Sequence, residues 1–327
     1  MTVKYYGRKW KLLVTLKPEL APYFGAEATP LPSEALEISS DQPTPLKMQF
    51  NIQKSVFAQG FWADFTIWNF ASETEQIAIQ ELVGVNFQAG YKDGPYGSIF
   101  SGKVWQPFFD RENVVDYKTT LRCLDGLGLL ESNFVNATKM AGYDYAGMIA
   151  TMAKNAHKPI PIGTISPTLS TKQSPRGCTM FGEPPELMRW ICQDEDAYSF
   201  IENGEWNVAK LAEPYLADPI VIDPETGLIG TPQQWEFGVK FRHLLDPRLK
   251  ITAPLTVVQI PQSIAIKTRR ATVGQFWTAL DREFKFKIIG VSYVGDTRGN
   301  DWYVDVTGVN VKGKYSDISE FTPLHTR

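Results

Sequence analysis

The sequence predicts a mainly β chain with an α+β insert: two similar antiparallel β-barrel, tube-like domains flanking a small α+β domain. Three observations predict it. Short runs alternate apolar and polar residues at the period of a half-buried strand, as where Trp302, Val304 and Val306 share one face and Tyr303, Asp305 and Thr307 the other. Polar, glycine-flanked turns separate the runs, such as Gly295-Asp296-Thr297-Arg298-Gly299-Asn300. Two stretches also echo one another: 99–104, a turn, then 117–124 parallels 288–293, a turn, then 302–309.

In chain order, residues 1–46 read as an N-terminal strand followed by an extended arm. Trp10, Leu12, Val14 and Leu16 alternate with their neighbours, and Pro18, Pro22, Pro30, Pro32, Pro43 and Pro45 exclude a long regular element after them. Residues 47–127 read as the first barrel. Met48, Phe50 and Ile52 open it, and Ala63, Phe65 and Ile67 form the core face of the next strand. Residues 69–80 follow as a turn and short helix, with Ser72 and Glu75 in capping-box spacing. Strands over 83–91, 99–109 and 116–124 complete the set.

Residues 128–213 change character. Helices are expected over 143–155 and over 184–194, the second entered by proline and turning Leu187, Trp190 and Ile191 inward. Asn203-Gly204 between 198–201 and 206–208 is a type I′ hairpin signal. Residues 214–311 read as the second barrel, with strands over 219–223, 234–241 and 255–260, a helical turn over 243–248, a further strand over 264–267 and a short helix or loop over 272–284. The hairpin of 286–294 and 302–307 closes it, and 312–327 form a tail.

The totals bound the function. The chain has 327 residues, 43% hydrophobic and 13% aromatic, with a net charge of -3, so it is no general magnet for nucleic acid. Cys123, Cys178 and Cys192 are widely spaced and form no CxxC, which suits free thiols in a reducing compartment. The opening residues lack the apolar core and cleavage site of a signal peptide, and no apolar run reaches the roughly 20 residues of a membrane helix. A soluble protein without membrane insertion is expected.

The sequence holds little that looks like chemistry. His157, His243 and His325 stand apart, so no metal site, cofactor site or nucleophile is expected. Asp125-Gly126-Leu127-Gly128 carries a GxG without the rest of a dinucleotide fingerprint and reads as a turn. Glu73 with Glu75, and Asp194, Glu195 and Asp196, are the acidic clusters a glycoside hydrolase would need, though clusters of this kind are mostly solvated element ends. Lys267, Arg269 and Arg270 form a small basic spot. The positions singled out are structural, for backbone geometry and turns: Gly102, Gly126, Gly227, Gly230, Gly290, Gly295, Asp296, Gly299, Asn300 and Trp302.

The runs ADFTIWNF (63–70), VNFQAGY (85–91), IFSGKV (99–104), TTLRCLDG (119–126), ETGLIGTPQQWEFGVKFRHLLDPRL (225–249) and IIGVSYVGDTRGNDWYVDV (288–306) resemble the baseplate hub proteins of long-tailed bacteriophages, which are related to hubs of contractile injection systems. The resemblance implies a non-enzymatic virion subunit, assembled in the host cytoplasm. It implies a homotrimer whose paired barrels make a pseudo-six-fold ring joining the tail tube protein to the central spike protein. It also implies contacts with other baseplate or wedge proteins, and with the tape measure protein, and passage of DNA without specific binding. The alternatives are a tail-associated cell-wall or polysaccharide-degrading enzyme, and a carbohydrate-binding module using Trp105 or Trp235.

Overall fold

The computed structural model describes residues 5–15, 35–58, 60–70, 83–127, 133–210, 220–235, 238–251, 254–257 and 285–310. Its first strands are β1 (Arg8–Thr15), β2 (Ala35–Ser39), β3 (Met48–Ser55), β4 (Trp62–Trp68), β5 (Gly84–Tyr91), β6 (Tyr96–Arg111) and β7 (Tyr117–Leu124). The insert contributes β8 (Val135–Lys139), helix α1 (Tyr145–Asn155), β9 (Ile162–Ile165), β10 (Cys178–Gly182), helix α2 (Pro184–Asp194), β11 (Tyr198–Glu202) and β12 (Glu205–Ala209). The chain continues with β13 (Ile220–Ile222), β14 (Leu228–Trp235), β15 (Gly238–Leu244), β16 (Pro254–Val257), β17 (Lys285–Asp296) and β18 (Trp302–Asn310). The fold is mainly β with a small α+β insert, as the alternation predicts.

Thirteen of these strands form one sheet, in the order β14-β15-β18-β17-β3-β4-β7-β6-β5-β1-β2, with β16 beside β17 and β13 parallel to β16. Within it one pattern occurs twice. The neighbours β3-β4-β7-β6-β5 and β14-β15-β18-β17-β16 each place their strands in the order first, second, fifth, fourth, third. The fourth strand is long in both sets and serves two ladders. Residues 96–103 of β6 pair with β5 and 103–111 with β7, on opposite edges. β17 pairs with β18 along most of its length, and its other edge takes β16 at 285–287 and β3 at 290–296. The β17–β3 ladder therefore joins the two sets.

Strand period explains the two faces. Met48, Phe50, Ile52, Ala63, Phe65, Ile67, Tyr293, Trp302, Val304 and Val306 are buried in a common core, each fully buried large side chain being worth roughly 1.5–3 kcal/mol. A second core lies in the insert. There Met148, Ile149 and Met152 of α1 meet Met188 and Ile191 of α2 and Trp206 and Val208 of β12. The Asp144 carboxylate caps α1 by accepting from the Gly147 N–H at 2.7 Å. Asn203 (φ 56°) and Gly204 (φ 79°) both take the left-handed conformation that a type I′ turn requires.

The structure differs from the sequence reading at several elements. Trp190 is 46% exposed, and Met188 and Cys192 take the inward face of α2 with Ile191. Residues 234–241 are not one strand: β14 and β15 meet there as an antiparallel pair. His243 belongs to β15 rather than to a helical turn, because its neighbours continue the ladder to β18. Within the expected arm, Leu36 and Ile38 alternate well enough to make β2 against β1. Strands β8, β9 and β10 (VNATK, IGTI, CTMFG) are polar or short and carry no alternation to read. The expected helix at 69–80 lies mostly outside the described residues. The elements at 264–267 and 272–284, the tail 312–327, Glu73, Glu75, Lys267, Arg269, Arg270 and His325 lie wholly outside them.

Candidate functional site

Among the described residues, the most organised feature beyond the core is the solvent-facing side of the sheet. On β3 it carries Gln49, Asn51 and Gln53, all exposed; on β4 it carries Trp62, Asp64 and Thr66. Thr66 and Thr120 share a hydroxyl–hydroxyl bond of 3.0 Å across β4 and β7. Arg122 of β7 grips Asp64 of β4, its Nε donating to Oδ1 at 2.9 Å and its Nη2 to Oδ2 at 3.3 Å. Arg242 of β15 grips Asp305 of β18 in the same two-pronged way, at 2.7 and 2.8 Å.

These two ion pairs occupy equivalent places. Each joins the second and fifth strands of its five-strand set, between residues directly opposite in register, with the acid and base exchanged. Each arginine is held in its charged form first by the hydrogen bonds to its carboxylate. Lys118 is likewise matched by Asp110 at 2.9 Å. Around the exposed rings of Trp62, Trp105 and Phe108, the face thus displays neutral amides, hydroxyls and three charge pairs matched across neighbouring strands.

The singled-out positions fall into groups. Gly295, Asp296, Gly299, Asn300 and Trp302 come together at the β17–β18 tip. The Asp296 carboxylate accepts from the Arg298 and Gly299 N–H groups, both at 2.8 Å, and from Gln49 Nε2 at 2.8 Å. A Cβ on Gly295 would stand 2.2 Å from the Phe50 ring. Trp302 is buried, and its indole N–H has no hydrogen-bond partner in the structure. The tip is clasped by Arg8, whose guanidinium donates to the carbonyls of Asp296, Gly299 and Asn300 at 2.6–3.0 Å. Nothing local in the sequence distinguishes Arg8 from Lys9 or Lys11. Gly227 (φ 107°) ends the 3-10 turn before β14, and Gly230 (φ 72°) sits where the β14–β15 register shifts. Gly102 lies in β6 against the Leu124 carbonyl, and Gly290 lies in β17 where its ladder passes from β16 to β3.

Gly126 belongs to a separate joint between sheet and insert. Its Cβ would meet Ile201 at 2.7 Å, and beside it the buried Asp125 carboxylate accepts from the Asn203 and Gly204 N–H groups at 2.6 and 2.9 Å. Burial pushes the Asp125 pKa up to about 7, against the pull of Lys54 and of those two N–H groups. Lys54 meets Glu202 at 2.7 Å close by.

The residues considered for chemistry do not assemble. Glu195 is engaged by Lys210 at 2.6 Å and Lys172 at 3.1 Å, which hold its pKa below the usual carboxylate range, Lys210 foremost. Asp194 accepts from the Tyr145 hydroxyl. His157 is exposed, whereas His243 is buried with Nδ1 2.6 Å from the Leu244 carbonyl, and burial lowers its pKa. Among the described residues, no three His, Cys, Asp or Glu gather in a way that could hold a metal ion, and no helix is long and apolar enough to cross a membrane. Trp105 is 43% exposed and meets Trp62 edge to face at a 5.2 Å centroid distance, over a hollow of about 290 Å³ lined also by Asn51, Gln53, Asp64 and Arg122.

No family model matches the chain. No curated protein matches it either. Solved structures do match. The 43 kDa tail protein of prophage MuSo2 from Shewanella oneidensis aligns over 93% of this chain and 99% of its own, with a TM-score of 0.55 at 8% identity. The tail protein from Neisseria meningitidis MC58 aligns over 93% and 97%, with a TM-score of 0.53 at 8% identity. The E. coli c3393 protein is described as a type VI secretion component structurally similar to the T4 bacteriophage tail proteins gp27 and gp5; it aligns over 83% and 75%, with a TM-score of 0.53 at 10% identity. The chain therefore has the fold found in phage tail and type VI secretion proteins, and the resemblance to baseplate hubs read from the sequence holds at the level of fold.

Proposed function

We propose that this chain is a structural subunit of a phage-type tail: a baseplate hub whose trimer forms a pseudo-six-fold ring between a hexameric tail tube and a trimeric spike, with DNA crossing its lumen. In this reading residues 47–127 and 214–311 are the two tube-like domains, 128–213 the insert between them, 1–46 an arm and 312–327 a tail. The observation that carries the reading is the repeated five-strand order, chained head to tail through β17 and β3. A subunit holding two copies of one unit lets three chains present six similar units to a six-fold partner and three inserts to a three-fold one. The partners are a second and third copy of this chain, the tube protein, the spike protein and neighbouring baseplate, wedge or tape measure proteins.

The sheet's solvent-facing side fits a conduit wall. Beside the exposed rings of Trp62, Trp105 and Phe108, a passing polyanion would meet amides, hydroxyls and arginines already matched by carboxylates, so few counterions would be released and little electrostatic affinity gained. The role is architectural and non-enzymatic, and the protein belongs to the virion tail.

The test is the mass of the purified chain in solution by light scattering, alone and with tube and spike proteins of the same tail. A mass of three chains, alone or on adding spike, is expected. A monomer indifferent to both partners would overturn the reading. The carbohydrate-binding alternative rests on the Trp62–Trp105 hollow, and saccharide binding abolished by Trp105→Ala would favour it.

A further inference from the structure

The repeated unit also specifies how one copy would meet the next. Within the chain, the fourth strand of the second set (β17) pairs antiparallel with the first strand of the first set (β3). The reciprocal pair is the fourth strand of the first set, β6, and the first strand of the second set, β14. Both present an open edge among the described residues. β6 leaves β5 after Lys103 and runs on to Arg111 paired only with β7, and β14 pairs only with β15 at the end of the sheet. The projecting part of β6 is apolar beyond what a solvated edge needs: Trp105, Phe108 and Phe109 are 43%, 39% and 54% exposed.

The two ion pairs fix the register. Overlaying Asp64 on Arg242 and Arg122 on Asp305 makes Gln106, opposite Arg122, the counterpart of Ser292, opposite Asp305. Two residues further, Phe108 corresponds to Val294. In the same overlay Ile229, opposite Arg242, corresponds to Asn51, opposite Asp64. Val294 and Asn51 are directly paired at the internal junction.

We infer that β6 of one copy pairs antiparallel with β14 of a second copy, with Phe108 opposite Ile229. The occupant of this surface is a second copy of the same chain, and the inference rests on the ring reading above. Phe108 and Ile229 are both large apolar side chains left about equally exposed, at 39% and 40%. The pairing would cover both and continue the sheet across the copy boundary.

The test is a double variant, Phe108→Cys with Ile229→Cys, in a Cys178→Ser background because Cys178 is the half-buried native thiol. The chain is oxidised and examined on a non-reducing gel beside light scattering. Covalent species up to three chains, at least tenfold more abundant than in a control pairing Asp110→Cys with Ile229→Cys, are expected. A three-chain mass without that cross-link, or with equal cross-linking of the control, overturns this pairing and leaves the ring reading standing. A monomer at every concentration, with and without spike, overturns both. Phe108→Asp, which alters a partly exposed side chain, is expected to weaken self-association at least tenfold while leaving the circular dichroism of the folded chain unchanged; undiminished association would also overturn the pairing.

Discussion

Lys54 of β3 and Glu202 of β11 meet at 2.7 Å with side chains only 4% and 15% exposed, tying the first five-strand set to the insert across 148 residues of sequence. A buried pair of this kind is destabilising to break and much less so to replace. Glu202→Ala leaves the Lys54 ammonium without its partner beside the Phe61 ring, 5.3 Å away. A loss of about 3–5 kcal/mol is expected in denaturant unfolding, and the double change Lys54→Met with Glu202→Leu should recover most of it. A single-variant loss under 1 kcal/mol would contradict this account.

Asp125 makes the stability of the same joint depend on pH. Its pKa rises from an ordinary 3.8 to about 7 on folding, chiefly through burial. A raised folded pKa means that the folded chain holds a proton the unfolded chain has released, so this contribution is complete below about pH 4 and lost as pH climbs through about 7. Melting temperatures of wild type and Asp125→Asn, compared from pH 4 to 8, should show wild type losing ground to the variant as pH rises. A constant difference across that range would count against it.

Cancelled charge on the solvent-facing side of the sheet has a direct readout. Asp64→Asn with Asp305→Asn leaves Arg122 and Arg242 unmatched on one face. The side chains of these pairs are 40–46% exposed, so the stability loss should stay at about 0.2–1 kcal/mol per pair. Retention on immobilised heparin, or a shift in labelled duplex DNA anisotropy at low salt, should appear in the variant, fade with added salt and be weak in wild type. Equal retention of both proteins would remove the conduit argument.

Gly295 tests the packing under the β17–β18 tip. Alanine there would drive its Cβ to 2.2 Å from the Phe50 ring, and that ring also packs edge to face on Trp302 at 5.3 Å. Gly295→Ala should cost about 1–3 kcal/mol by overpacking, visible as a lower denaturant midpoint with an unchanged slope. Gly142→Ala provides a comparison in which only the left-handed φ of 89° is disturbed, since nothing stands within 4 Å of the new methyl.

What the sequence revealed, and what it hid, follows from the range of each interaction. The strands whose two faces differ, such as Met48–Ser55 and Trp302–Asn310, were legible because burial writes a period of two into a single segment. Helix α1 is legible through its apolar spacing, whereas on α2 apolar residues at adjacent positions do not say which of them faces inward, and Trp190 faces out. A helical turn over 243–248 merges the end of β15 at Leu244 with the turn that follows, where exposed Arg248 grips the buried Asp246 carboxylate. At the candidate site, the glycines and Asp296 announced turns locally. The partners that give the site its character did not: Arg8 reaches the β17–β18 tip from the other end of the chain, and Asp64 finds Arg122 only once β4 and β7 are neighbours. The repeated strand order likewise exists only in space, although the sequence echo at 99–124 and 288–309 marked its two hairpins.

The β17–β3 ladder also sets a timetable for synthesis. Residues 49–55 emerge early from the ribosome, yet their partners at 290–296 are made only after most of the chain has followed. Until then the first five-strand set must wait with the outer edge of β3 uncovered, its amides and carbonyls free to pair with any strand that arrives. Gln49, Asn51 and Gln53, which flank that edge with neutral polar side chains, keep the waiting strand wet on one side. Truncation anywhere before β17 would therefore yield a chain in which the outer edge of β3 stays open.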